Sequence, residues 1–138
     1  TLGFNGSWLH AEFKNYTTDV GNFGGNRPIL APEYSAGATV TWRSGDYSWG
    51  SVGGNLLSSY QSKVYFTVQN TKDARQGSIY LQDAKLSYFA PSDNWQLDIF
   101  VRNMLNEEYR IFEQDVGAGP VSRRGDPRYW GVSATARF

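Results

Sequence analysis

Cysteine is absent from this chain, and histidine and methionine occur once each. Without cysteine there is no disulfide and no thiolate metal site. That excludes a small disulfide-stapled secreted domain and fits a reducing compartment or a Gram-negative envelope protein. An excess of charge is missing too. Thirteen basic and 13 acidic side chains cancel, which removes the field that draws proteins to nucleic acid or to an anionic membrane surface. No apolar run approaches the ~18 residues of a membrane helix, and no stretch within the chain reads as a signal peptide. Leucine and isoleucine are sparse for 138 residues, although a globular core of that size ordinarily leans on aliphatic side chains.

What is plentiful is aromatic and small. Phe, Trp and Tyr make up 16% of the residues, beside 15 glycines. That mixture suits short, evenly spaced β-strands, including strands whose ends lie at a membrane interface. Six segments alternate with the period of two that marks a strand with one dry and one wet face. In "EYSAGATVTW", Tyr34, Ala36, Ala38, Val40 and Trp42 oppose Glu33, Ser35, Gly37, Thr39 and Thr41. At 40% apolar composition, five such positions are all apolar by chance only about 1% of the time. The terminal "RYWGVSATARF" passes the same test, with Trp130, Val132, Ala134, Ala136 and Phe138 on the dry side. "TLGFNGSWLHAEF", "YLQDAKLSYF" and "WQLDIFVRN" follow the rule, and "WGSVGGNLLSSYQ" follows it except at Leu57. No segment has a helical period.

The connections alternate in length. "RSGDYS" and "APSDN" are tight turns by composition, whereas 14–32, 62–78 and 106–127 are long. In up-and-down order every short turn falls at one end of the sheet and every long loop at the other, as in outer-membrane barrels. Glu33–Arg43 and Arg128–Phe138 are eleven residues each, and a tilted membrane strand needs about 9–11. Aromatics stand near both ends of these strands, and Asp83, Lys85, Asp98, Arg102 and Arg137 all fall on the wet face. The expected fold is therefore all-β: an antiparallel up-and-down meander of about six strands forming part of a transmembrane β-barrel. A self-contained small β-barrel, in membrane or in water, with a ligand-binding or structural role is the alternative. A soluble version would turn the dry face inward.

Three stretches resemble one family, the TonB-dependent outer-membrane receptors. "GNRPILAPEYSAGATVTW" is similar to a loop that precedes a strand in those receptors. "VRNMLNEEYR" resembles their penultimate strand, which ends in a Val-x-Asn-Leu-x-Asn/Asp-x-x-Tyr pattern. "GDPRYWGVSATARF" resembles their last strand. The resemblance covers essentially the whole chain and implies that residues 1–138 are the C-terminal portion of a barrel of about 22 strands, without the plug domain and the N-terminal strands. It implies import of a ligand such as a ferric siderophore by the parent, powered by TonB through the absent plug region. The segment itself is not transport-competent, and its open strand edges favour self-association. It further implies that Gly131, Val132, Ala134, Ala136 and Phe138 form the signal read by the barrel-assembly machinery, with the lipid bilayer of the Gram-negative outer membrane as surroundings.

Catalytic chemistry has little to work with. His10 reads as structural or solvent-facing, no nucleophile is placed beside it for a triad, and zinc would need several His or Cys ligands. Neither an enzyme nor a cofactor is expected. Glu107, Glu108, Glu113 and Asp115 have calcium-ligating oxygens but read as a solvated loop face. The "RGD" within "RRGD" reads as the turn leading into the last strand, and the acceptor pattern at Asn5 falls inside a strand. The long loops mix Tyr, Phe and Arg with Gly, a surface suited to an anionic or aromatic small-molecule ligand. In the family, such loops form part of the substrate site. Tyr65, Arg75, Arg110, Phe112, Arg123 and Arg124 are the candidate ligand contacts, the opposing reading being interface aromatics and snorkelling cations.

Overall fold

Alternation turns into pairing. The structure, a computed structural model, describes residues 1–117 and 119–137, with Asp115 described by its backbone alone. Among the described residues the strands are β1 (Leu2–Trp8), β2 (Thr17–Thr18), β3 (Gly21–Asn22), β4 (Tyr34–Arg43), β5 (Ser51–Gln61), β6 (Val64–Tyr65), β7 (Arg75–Gln76), β8 (Ile79–Phe89), β9 (Trp95–Arg102), β10 (Arg110–Asp115), β11 (Pro120–Arg124) and β12 (Tyr129–Ala136). One antiparallel sheet takes the order β1-β4-β5-β8-β9-β12, so each long strand lies beside the next long strand in the chain. The rest pair as three hairpins, β2/β3, β6/β7 and β10/β11, one in each long loop. Sequence reading placed no strands in those loops. Their strands are too short or too irregular to show a period, β10 carrying a register shift between Arg110 and Phe112.

Register carries the two faces across the whole sheet. One cross-strand row runs Leu2, Val40, Leu56, Ala84, Val101, Trp130. The adjoining row, Thr41, Asn55, Lys85, Phe100, Gly131, belongs to the other face. A slip of one residue at any pairing would drop apolar side chains among polar ones, and this is what pins the register.

Among the described residues nothing covers the apolar face. Phe4 is 82% exposed, Trp130 76% and Ile99 57%, whereas Asp98 on the opposite face is 8% exposed. The soluble alternative requires the reverse. Among the described residues apolar burial is confined to small spots, Val64, Ala74 and Ile79 near the long loops and Ala90 at a turn. A contiguous apolar surface of this extent marks a face that meets a membrane or another protein.

Aromatic side chains border that face. At the loop end Trp8 pairs with Tyr34, and Tyr60 with Tyr80. At the turn end the rings of Tyr47, Trp49, Tyr88 and Trp95 follow one another with centroids 5.2, 6.3 and 5.1 Å apart. The Tyr88 hydroxyl donates to the Trp49 carbonyl at 2.5 Å. From Tyr34 to Trp42 the strand rises about 26 Å at ~3.3 Å per residue, or about 20 Å along the membrane normal at a tilt of ~40°, which is most of the ~25 Å apolar band of outer-membrane barrels.

The first tight turn depends on Gly50. Its φ is +113°, and a Cβ there would lie 2.2 Å from the Phe89 carbonyl oxygen. Backbone cannot yield as a flexible side chain can. Gly50→Ala is expected to destabilise the intact protein by about 2–3 kcal/mol, measured as a lower denaturation midpoint in detergent. An unchanged midpoint would mean that the turn adopts another conformation.

Candidate functional site

The long loops do not stand apart; they are laced together by side chains with few alternatives. Asn70 sits in the left-handed region at φ 54°, which asparagine tolerates better than most residues. From there its side chain accepts from the Arg27 amide at 2.7 Å and donates to the Arg27 carbonyl at 3.0 Å. Asn26 donates to the Val68 carbonyl at 2.8 Å, and the Leu30 amide to the Tyr65 carbonyl at 2.9 Å. The Arg27 guanidinium turns back onto Glu33 at 2.6 Å. These contacts join the first long loop to the second.

Arg110 joins the second to the third. Its amide donates to Gln76 Oε1 at 2.7 Å. Its guanidinium donates to the main-chain carbonyls of Asp73 and Arg75 and to the Glu113 carboxylate, with the Phe66 ring 5.8 Å away. Glu113 is only 7% exposed, so the reading of it as part of a solvated face is corrected: the arginine supplies the partner that lets a carboxylate be buried. Among the described residues no group of three acidic, His or Cys side chains converges as a metal site.

A third fastening ends β9. Asn103, 5% exposed and at φ 47°, accepts from the Glu107 amide at 2.8 Å and donates to the carbonyls of Glu107 at 2.9 Å and Asp126 at 3.0 Å. Its own amide donates to Asp83, whose other oxygen accepts from Arg102 at 2.6 Å. Asn106, also left-handed, accepts from the Arg128 amide at 3.1 Å. Tyr109 lies so close to Gly125 that a Cβ there would fall 2.0 Å from the ring. The Asn-x-x-Asn-x-x-Tyr spacing in "VRNMLNEEYR" is thus a knot that sets where the chain enters β12.

The six candidate ligand contacts divide. Tyr65 and Arg75 are cross-strand partners in β6/β7, and Arg110 reaches the Arg75 carbonyl. Those three meet, but as a fastening. Phe112 and Arg123 are partners in β10/β11, with Phe112 47% exposed. Arg124 pairs with Glu108 at 3.0 Å on the surface. His10, largely exposed, has Glu12 4.0 Å away. Sequence reading passed over Asn70 and gave Asn103 no physical role; "QNTKD" around Asn70 carries only a weak turn signal.

The polar face forms an inner wall. A groove of about 660 Å³ runs along it past Arg43, Asp83, Lys85, Asp98 and Arg102. Asp98 stitches three strands together, accepting from Ser87 at 2.6 Å, Gln96 at 2.7 Å and Ser133 at 3.3 Å. Of the predicted assembly signal, Gly131, Val132, Ala134 and Ala136 lie in β12, and Phe138 lies outside the described residues.

No family model matches the chain. The pesticin receptor of Yersinia pestis is 26% identical over 134 residues, which is 97% of this chain and 19% of that protein. The crystal structure of the ferric yersiniabactin uptake receptor FyuA from Yersinia pestis matches with a TM-score of 0.83 at 25% identity, over 96% of this chain and 20% of that one. The chain is a β-barrel segment of a TonB-dependent receptor. The receptor segment spans about a fifth of the length of the relatives it matches. Those relatives are receptors, and the segment is not an enzyme.

Proposed function

We propose that the segment is the C-terminal portion of the barrel of an outer-membrane transporter, residues 1–138 following a plug domain and earlier strands in the parent protein. The parent captures a scarce extracellular ligand, with ferric siderophores as the ligand class, and draws energy from TonB through the plug. The observation that carries this reading is the apolar face, uncovered by protein and bordered at both ends by aromatic side chains. Hydrocarbon outside, a polar wall inside and laced loops at one end are what a ligand-admitting barrel needs. The segment by itself does not transport, because β1 and β12 end the sheet unpaired with each other. Such edges favour association with further strands. The apolar residues of β12 lie toward lipid, where the assembly machinery would meet them. Phe112 and Arg123 remain proposed ligand contacts on the β10/β11 hairpin, while Arg110 holds loops.

The test is nutritional. Removing the parent gene from its host should abolish iron-limited growth on at least one ferric siderophore, and the intact gene should restore it. Undiminished growth on every siderophore that the host uses would reject the import reading.

A further inference from the structure

Beneath the laced loops, the inner wall and the loops line a half-open cavity of about 510 Å³, within the ~300–1,000 Å³ of small-molecule sites. Leu57 and Leu81 form part of its wall, and Leu30, Phe66 and Ile111 part of its roof. Leu57 is the residue that interrupted the alternation of β5, and the cavity explains it: an apolar side chain on the polar face has loop residues as neighbours there. Among the described residues of the lining, Arg110 is the one cation. Its charge is matched by the buried Glu113 carboxylate, and its donors are turned to that carboxylate and to the carbonyls of Asp73 and Arg75. Three of its five N–H donors are so occupied, and Glu113 beside it repels an anion. An anionic guest would find no unmatched cation among the described lining residues, which is costly in a mainly apolar cavity, whereas a neutral guest loses little solvation. Ser59, Gln61 and Tyr109 supply neutral hydrogen-bonding groups.

We infer that this cavity selects an uncharged, mainly apolar or aromatic ligand, and that Arg110 and Glu113 close its roof as a neutral pair instead of acting as an anion hook. This rests on the receptor reading and narrows its ligand class.

The experiment uses the intact parent receptor in detergent, with binding followed by quenching of its intrinsic fluorescence. The probes are ferric tris-quinolinolate, uncharged and aromatic, and a trianionic ferric tris-catecholate. The wild type should bind the quinolinolate at least about tenfold more tightly. Glu113→Gln, which leaves Arg110 unmatched, should move the ratio of affinities about tenfold toward the catecholate. Gln61→Lys, whose cross-strand partners Ser35 and Ile79 carry no charge, adds an unmatched cation to the wall of the same cavity and should move the ratio the same way. A wild-type preference for the catecholate, binding of neither probe, or an unmoved ratio in Gln61→Lys overturns the inference. Failure of the receptor reading would show separately, as unimpaired siderophore-dependent growth without the parent gene.

Discussion

Val132→Arg in the intact receptor should prevent assembly into the outer membrane, whereas Ser133→Arg, one residue further on, should assemble normally. Val132 is 62% exposed on the apolar face and pairs with Ile99, itself 57% exposed, near the middle of β12. An arginine there meets hydrocarbon and costs about 2–4 kcal/mol near the bilayer midplane. That is a large share of the stability of most folded domains. Ser133 faces the inner wall, its hydroxyl 3.3 Å from an oxygen of Asp98. A guanidinium there enters a groove lined by Asp83 and Asp98, where a carboxylate can pair with it. The heat-dependent shift in gel mobility of a folded barrel reads the outcome from outer-membrane fractions. Equal behaviour of the two variants would mean that the faces are wrongly assigned.

Replacing Asn103 is expected to have the next largest effect. Its side chain satisfies one amide and two carbonyls in a buried setting, and its backbone sits at φ 47°. Asn103→Ala leaves those groups without partners at about 1–3 kcal/mol for each that water cannot reach, and adds the left-handed backbone cost of about 1–2 kcal/mol. Asn103→Gly removes the hydrogen bonds but relieves the backbone, so it should be less damaging than Asn103→Ala by about 1 kcal/mol. Both should lower the denaturation midpoint of the intact receptor, with alanine the lower. Equal midpoints for the two would show that the left-handed backbone contributes nothing, and a midpoint like the wild type would show that the knot does not hold the loop.

The resemblance of "VRNMLNEEYR" to a receptor strand was visible without coordinates, but its physical meaning was not. Asn103 reaches Asp126, 23 residues away, and nothing in the local spelling names that carbonyl. The same holds for Arg110. As a loop arginine among aromatics it reads as a hook for an anion. Its carbonyl partner Asp73 lies 37 residues back, and only the meeting of two loops turns it into a fastening. Glu113 changed meaning for the same reason, from solvated acid to buried partner. Leu57 looked like an error in a pattern until the roof above the inner wall was placed.

Strand parity, the polarity of each face and the separation of short turns from long loops were determined by the sequence alone. Each is a local property: a side chain points opposite to its neighbours whatever the strand lies beside, and turn composition acts over a few residues. Tertiary structure decided which face stands uncovered and which loop residues meet. Those outcomes depend on contacts between residues such as Arg27 and Asn70, 43 positions apart, and no period within a strand encodes a partner at that distance.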